Sequence, residues 1–273
     1  LKSSAPINLC GSSGYGAPSP PLRQAAGRYV TFPLVRCEFI DNSLKNPRII
    51  KKQVIYFRGV YKLSYSVEIQ EFYNDIAEEF AKDWYENDSL LPVLKKFVSL
   101  LPLSPKILDL GCGAGYESMR LMQLGADVTG IDYSEEPIKI ARLKNPDCRF
   151  EIMDFRKIDA SIGCFDGIVA IASLIHIPDD ELVLVFQNIR RVLKESGYVL
   201  IAVIEGQGLS DERSFIEHNG KQYKRYFYLH DKDNLSNAAC TVGLNLYQTV
   251  ELPEEHSKHG WKGFIYQTVV TAV

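Results

Sequence analysis

At 273 residues and 46% hydrophobic, the chain can bury one sizeable core with at most an appendage, so a mainly single-domain globular protein is expected. A formal charge of −3 gives no global attraction to phosphate backbones or anionic lipid, which leaves nucleic acid and membrane partners unsupported. No run reaches the roughly 18 to 20 apolar residues of a membrane span. The six cysteines, Cys10, Cys37, Cys112, Cys148, Cys164 and Cys240, are spread without a C-x-x-C pair and read as reduced. The first residues lack the basic-then-apolar order of a secretory signal, so a soluble cytoplasmic protein is expected.

Residues 1 to about 25 are rich in Ser, Gly and Pro without periodicity, and we expect disorder there. Residues 29–66 carry only short apolar runs such as "VIYFRGVY", enough for one small strand or helix. The chain begins at Leu1, and its three methionines are Met119, Met122 and Met153. Residues 1–66 are therefore expected to be a poorly ordered or non-native extension, with the domain over 67–273; N-terminal sequencing of native protein checks this. From Glu68 the stretch "EIQEFYNDIAEEFAKDWYEN" sets Ile69, Phe72, Tyr73, Ile76, Phe80 and Trp84 at helical spacing and predicts one amphipathic helix. A second helix follows in "SLLPVLKKFVSLLP", with Ser89 as its cap.

Strands and helices then alternate. "KILDL", "DVTGI", "CRFEIM", "FDGIVAIAS" and "GYVLIAVI" are near-continuous apolar runs, the kind expected of parallel strands buried on both faces. Helices are predicted over 116–124, 134–144 and 179–194, the last begun by Asp179 and Asp180, which suit a positive helix start. The order implies right-handed crossovers and an α/β, Rossmann-like, doubly wound sheet of about seven strands with helices on both faces. The last two strands, 244–252 and 263–273, are joined by only about ten residues and should pair antiparallel.

In such a sheet the ligand sits at the carboxyl ends of the strands, beside the first strand-to-helix turn. "DLGCGAG" occupies that turn. Gly111, Gly113 and Gly115 permit positive φ and close backbone approach. Asp132 ends the second strand, where a carboxylate accepts from ribose hydroxyls. A dinucleotide site wants G-x-G-x-x-G, but the third glycine position of that pattern is Tyr116, and the spacing here is G-x-G-x-G.

"LDLGCGAG", "GIDYS", "EIMDF" and "FDGIVAIASLIHI", in this order, resemble the class I S-adenosylmethionine-dependent methyltransferases, in particular the small-molecule group with a Y-x-x-I-A helix ahead of the glycines. The resemblance spans about 68–273. It implies S-adenosylmethionine as cofactor, S-adenosylhomocysteine as product, no metal, and a small-molecule acceptor. Asp109 would lie near the methionine ammonium, with Gly111, Cys112, Gly113 and Gly115 cradling methionine and ribose. Asp132 would take the ribose hydroxyls, and Tyr133 would pack on the adenine. Asp154 would accept from the adenine amino group while the Phe155 backbone reads the adjacent ring nitrogen. Ala170 and Ser173 would line the reaction side. Tyr73 matches the family's first helix tyrosine, and Phe80 stands where the family carries a second.

His176 and Tyr73 are the candidate catalytic residues. His176 follows the fourth strand, where an imidazole is placed to take a proton from a hydroxyl or amine; equally, it packs in the loop or caps a carbonyl. Cys112 reads better as a small buried residue than as a nucleophile. His256 and His259 form an H-x-x-H pair without further ligands and read as a solvated loop. In 215–235, basic residues alternate with Tyr223, Tyr226, Phe227 and Tyr228, and a half-buried strand under the sheet edge explains this better than nucleic acid. The rival functions are a non-catalytic S-adenosylmethionine-binding protein and an RNA methyltransferase. Acceptor atom and oligomeric state stay open.

Overall fold

The computed structural model describes residues 63–210 and 215–268, all within one unit. The expectations for residues 1–62 lie outside the described residues. The chain runs α1 (Leu63–Asp75), α2 (Ala77–Tyr85), α3 (Leu91–Val98), β1 (Lys106–Leu110), α4 (Tyr116–Gln123), β2 (Asp127–Asp132), α5 (Glu135–Lys144) and β3 (Arg149–Ile152). It continues through β4 (Phe165–Ile171), α6 (Asp179–Val192), β5 (Leu193–Ile204), β6 (Gly208–Ser210), β7 (Phe215–His218), β8 (Lys221–Lys224), β9 (Phe227–Leu229), α7 (Lys232–Cys240), β10 (Leu244–Val250), α8 (Glu254–Ser257) and β11 (Trp261–Thr268).

Seven strands form one sheet in the order β10-β11-β5-β4-β1-β2-β3. β1 to β5 are parallel, while β11 pairs antiparallel with both β5 and β10, as the short final connection requires. Chain order reverses on either side of β1, so the switch point lies above its carboxyl end.

Residues of the central strands alternate between two cores. Leu108, Leu110, Ile168, Val199 and Ile201 pack with Phe186 and Ile189 of α6. Ile107, Val169 and Leu200 pack with Leu94 and Phe97 of α3. Burial on both faces is the physical origin of the unbroken apolar runs.

Four local expectations are corrected. The single helix over 68–87 bends at Ile76 (φ −102, ψ 5), although Ile76 N–H to Phe72 O and Phe80 N–H to Ile76 O carry the ladder across the bend. Ser89 does not cap α3; the N-cap is Leu90, and Ser89 Oγ is bonded to His256 Nε2 at 2.8 Å. The 215–229 segment leaves the main sheet, β7 and β8 forming a hairpin and β9 pairing with β6, because Tyr223 packs on Phe72 and Ile76 instead of under the sheet edge. Cys112, Cys148 and Cys240 are free, but Cys164 is disulfide-bonded, against the expectation of six reduced thiols. Among the described residues no helix is long and apolar enough to cross a membrane.

Candidate active site

β1 delivers Asp109 and the glycines to the switch point. Gly111 and Cys112 N–H both donate to Ile131 O, at 2.8 and 3.0 Å, which fastens the turn to the end of β2. Asp132 completes that attachment: its Oδ2 accepts from Gly113 N–H at 3.1 Å and its Oδ1 from Ser134 N–H at 2.7 Å. The three glycines, all at positive φ, differ in what surrounds them. A Cβ on Gly111 would meet Ser173 Cβ at 2.6 Å, and one on Gly115 would meet Ala141, Asn145 and Phe150 at 3.0 Å. At Gly113 it would meet nothing within 4 Å. Packing therefore accounts for two of the glycines, and the third borders open space.

Ser173 faces Gly111, is buried, and its Oγ has no hydrogen-bond partner. A buried orphan hydroxyl costs about 1–3 kcal/mol unless something else meets it. Ala172, which precedes it, holds φ +56, a strained conformation for a residue with a Cβ. Asp109 is 2% exposed and accepts from Ser118 Oγ at 2.6 Å. Burial pushes its carboxyl up to about 7, and burial with the nearby Asp109 pushes Glu117 up to about 8. Asp132 is raised as well, chiefly by burial. Three carboxyl groups held unfavourably around one turn favour a ligand that brings donors or positive charge.

The expected adenine contacts are arranged differently. The Asp154 carboxylate accepts from Arg156 N–H at 2.9 Å and from the Arg156 guanidinium at 3.0 and 2.7 Å, so a ligand amine would have to compete with an ion pair. The Phe155 ring belongs to the core. Ala170 is wholly buried in the same core; its strand ends one residue later, at Ile171. Cys112 is buried with its thiol pushed well up by burial, as expected of a packing residue. Tyr133 is half-buried, and its carbonyl accepts from Gln70 Nε2.

The two candidate catalytic residues, 103 positions apart, meet directly: Tyr73 Oη lies 2.9 Å from His176 Nε2. His176 Nδ1 lies 3.0 Å from Tyr226 O. A carbonyl only accepts, so Nδ1 carries the proton, Nε2 carries the lone pair, and Tyr73 donates to it. Burial and the Arg225 charge lower the imidazole to about 4. Burial raises the Tyr73 phenol, and a hydrogen bond and charge from Arg225 oppose that rise. The Arg225 guanidinium sits 4.4 Å from the Phe72 ring centroid and 4.8 Å from that of Phe227.

Several residues that build the site carry no sequence motif. Tyr85 Oη donates to Ala114 O at 2.7 Å and accepts from Asn145 Nδ2 at 2.7 Å, which ties α2 to the glycine turn. Trp84 stacks on Tyr116 on one side and on His256 on the other, so His256 is a packed residue and not part of a solvated loop. His230, fully buried, faces Leu174 O at 3.0 Å and Asp179 Oδ1 at 3.1 Å, which fixes the turn that carries His176. Among the described residues no group of His, Cys, Asp and Glu is arranged to hold a metal ion.

Comparison with known proteins locates this geometry. Residues 107–197 match the family described as a methyltransferase domain. A ubiquinone biosynthesis O-methyltransferase of Pseudomonas aeruginosa is 36% identical over 105 residues, covering 36% of this chain and 44% of the relative. The match thus spans less than half of that protein's length. Among solved structures, the 1,6-didemethyltoxoflavin-N1-methyltransferase of Burkholderia thailandensis, with bound 1,6-didemethyltoxoflavin and S-adenosylhomocysteine, superposes with a TM-score of 0.60 at 17% identity, covering 81% of this chain and 94% of that one. The [4+2]-cyclase SpnF superposes with a TM-score of 0.57 at 16% identity, over 74% and 96% of the two chains.

Proposed function

From the match of residues 107–197 to a methyltransferase domain we propose that the chain is a class I, S-adenosylmethionine-dependent methyltransferase, and that it transfers a methyl group from S-adenosylmethionine to a small-molecule nucleophile by in-line displacement. The observation that carries this reading is the unfilled space at Gly113, in a turn whose Gly111 faces the orphaned Ser173 hydroxyl and whose flanking carboxyls, Asp109 and Asp132, are raised. Packing leaves the space at Gly113 and the Ser173 hydroxyl unmet, and burial holds both carboxyls raised; a ligand with an ammonium group and ribose hydroxyls would meet all of these. These residues fit the cofactor.

In this reading Asp109 meets the ammonium, Asp132 meets the ribose, and the backbone of Gly111, Cys112 and Gly113 lets the chain run close. Tyr133 and the backbone of Phe155 border the base, with Asp154 divided between it and Arg156. The bound cofactor supplies an activated sulfonium methyl, so the protein's task is alignment and exclusion of water. The aromatic side chains of α1, α2 and 223–227 provide the exclusion, and Tyr73 with His176 stands where a proton would be handled. The catalytic unit is residues 67–273. A cytoplasmic setting belongs to this reading, supported by the free thiols of Cys112, Cys148 and Cys240; the Cys164 disulfide counts against it.

A second reading, cofactor binding without methyl transfer, is favoured by one observation: a protein described as a [4+2]-cyclase shares the fold, and fold does not set function. Calorimetric titration with S-adenosylmethionine, S-adenosylhomocysteine and NADH, with Asp132→Ala as control, tests the cofactor. Micromolar binding of the first two, weakened in the variant, is the expected result; binding of NADH alone refutes the reading. Labelled methyl transfer to an acceptor panel then separates enzyme from binding protein.

A further inference from the structure

We propose that Tyr73, and not His176, meets the methyl acceptor, that it relays the acceptor's proton to His176, and that the acceptor is accordingly a hydroxyl compound. This rests on the methyl-transfer reading above and deepens it.

Lone pairs decide which group can meet the acceptor. A neutral imidazole has one. In His176 it is on Nε2, because Nδ1–H is committed to Tyr226 O at 3.0 Å, and Tyr73 Oη–H fills it at 2.9 Å. His176 therefore has no site left with which to take a proton from a substrate directly. Neither ring is placed to swing aside: Tyr73 makes edge contacts with Phe72, Phe80 and His176 at centroid distances of 5.3, 6.1 and 5.5 Å, and His176 packs on Phe227 at 5.2 Å. His230 further pins the turn through Leu174 O.

The phenol oxygen is differently placed. It has two lone pairs; Arg225 donates to one, and among the described residues no other hydrogen bond is donated to it, which leaves the second for an incoming O–H. Its 2.9 Å contact with His176 Nε2 places it at the turn after β4, on the edge of the sheet where the strands end at the switch point. Burial and the Arg225 charge keep His176 neutral down to acid pH, so its Nε2 accepts the Tyr73 hydrogen bond at rest and takes the proton only as the O–C bond forms.

The step balances as follows in atoms and electrons. The acceptor O–H proton passes to Tyr73 Oη as the Tyr73 proton passes to His176 Nε2. An oxygen lone pair forms the O–C bond to the donor's methyl, and the S–C bond breaks with its electron pair left on sulfur. The imidazolium then returns its proton to solvent through Tyr73. A neutral amine attacks with a lone pair it already holds and sheds its proton afterwards, whereas a neutral hydroxyl is a poor nucleophile until the proton moves. A relay in contact with the acceptor thus serves oxygen.

Tyr73→Phe keeps the ring and removes only the hydroxyl. Its kcat is measured on 4-methoxyphenol and on 4-nitrophenol at pH 9, where the second is already ionised. We expect kcat on 4-methoxyphenol to fall by about 10²- to 10⁴-fold, with KM and S-adenosylhomocysteine affinity changed by less than about threefold, and kcat on 4-nitrophenol to fall by less than about tenfold. His176→Gln should show the same pattern, and the double variant should be no slower than either single one. A readout independent of turnover is the ¹⁵N resonance of the His176 imidazole, expected as a neutral Nδ1–H ring whose Nε2 shift changes in Tyr73→Phe. Equal losses on both phenols, an undiminished kcat in Tyr73→Phe, an Nε2–H tautomer, or methylation of aniline but of no hydroxyl compound each overturn the proposal. So does a wild-type protein that binds S-adenosylhomocysteine and methylates neither phenol. Failure of the wild type to bind S-adenosylhomocysteine at all instead overturns the methyl-transfer reading itself.

Discussion

In the 109–115 turn the backbone does the shaping: three positive-φ glycines, two amides on Ile131 O, and a carboxylate on Gly113 N–H. In the roof made by α1, α2 and the 215–229 strands, side chains do it instead. Asp75 accepts from Lys221 Nζ at 3.0 Å and from Tyr223 Oη, across about 150 residues of sequence, and Phe72, Ile76 and Tyr223 form a small core of their own. The floor is local in sequence and continuous with the main sheet. The roof is assembled from distant pieces and is tied to the floor by side chains that reach backbone atoms, so substitutions in the two regions should fail in different ways.

The largest expected effect is at the floor. Asp132→Ala removes the acceptor for Gly113 N–H together with the ribose partner, and S-adenosylhomocysteine affinity should drop about 100-fold by calorimetry, or about 2.7 kcal/mol. The glycines sharpen the comparison within the floor. Gly115→Ala meets both strain at φ +83 and neighbours at 3.0 Å, and should lower stability by about 2–3 kcal/mol in urea denaturation. Gly113→Ala, with open space, should cost about 1 kcal/mol of stability but weaken the cofactor about tenfold. If both glycine variants lose stability and keep affinity alike, the open space at Gly113 is not a ligand site.

Between floor and roof, Tyr85→Phe removes the bonds to Ala114 O and Asn145 Nδ2 and should cost about 1–2 kcal/mol, with a smaller loss of affinity than Asp132→Ala. The response to pH has opposite signs at the floor and at His176, on the turn after β4. Asp109 and Glu117 have folded values raised to about 7 and 8, so the folded state binds the extra protons and stability declines as pH rises from the ordinary carboxylate range through 8. His176, lowered to about 4, makes the unfolded state the stronger proton binder, and its stability contribution is lost as pH falls from about 6.5 to 4. Thermal unfolding across pH should show Asp109→Asn flattening the alkaline side and His176→Gln the acid side; a shared response would mean the two regions do not titrate separately.

The floor was legible in the sequence because its determinants are short-range. Apolar runs mark strands buried on both faces, and glycine spacing with Asp132 marks the switch-point turn. The bend at Ile76 was not legible, because apolar residues keep helical spacing straight through it. Ser89 has a cap's chemistry, but a histidine 167 positions away claims its hydroxyl. Asp154 is diverted by Arg156, two residues on. The pairing of Tyr73 with His176 was within reach as two separate candidates. Tyr226, which fixes the imidazole, acts through a carbonyl that every residue possesses, so no motif could single it out.

The bonds between roof and floor carry a kinetic consequence. Gln70 reaches the Tyr133 carbonyl, Asn74 accepts from Glu136 N–H at 3.0 Å, and Tyr85 reaches Ala114 O, so the helices that cover the acceptor side are moored on the very turns assigned to the cofactor. Settling those turns settles the helices. Substrate addition should then follow a compulsory order, methyl donor before acceptor and demethylated product last to leave, with S-adenosylhomocysteine competing against the donor alone.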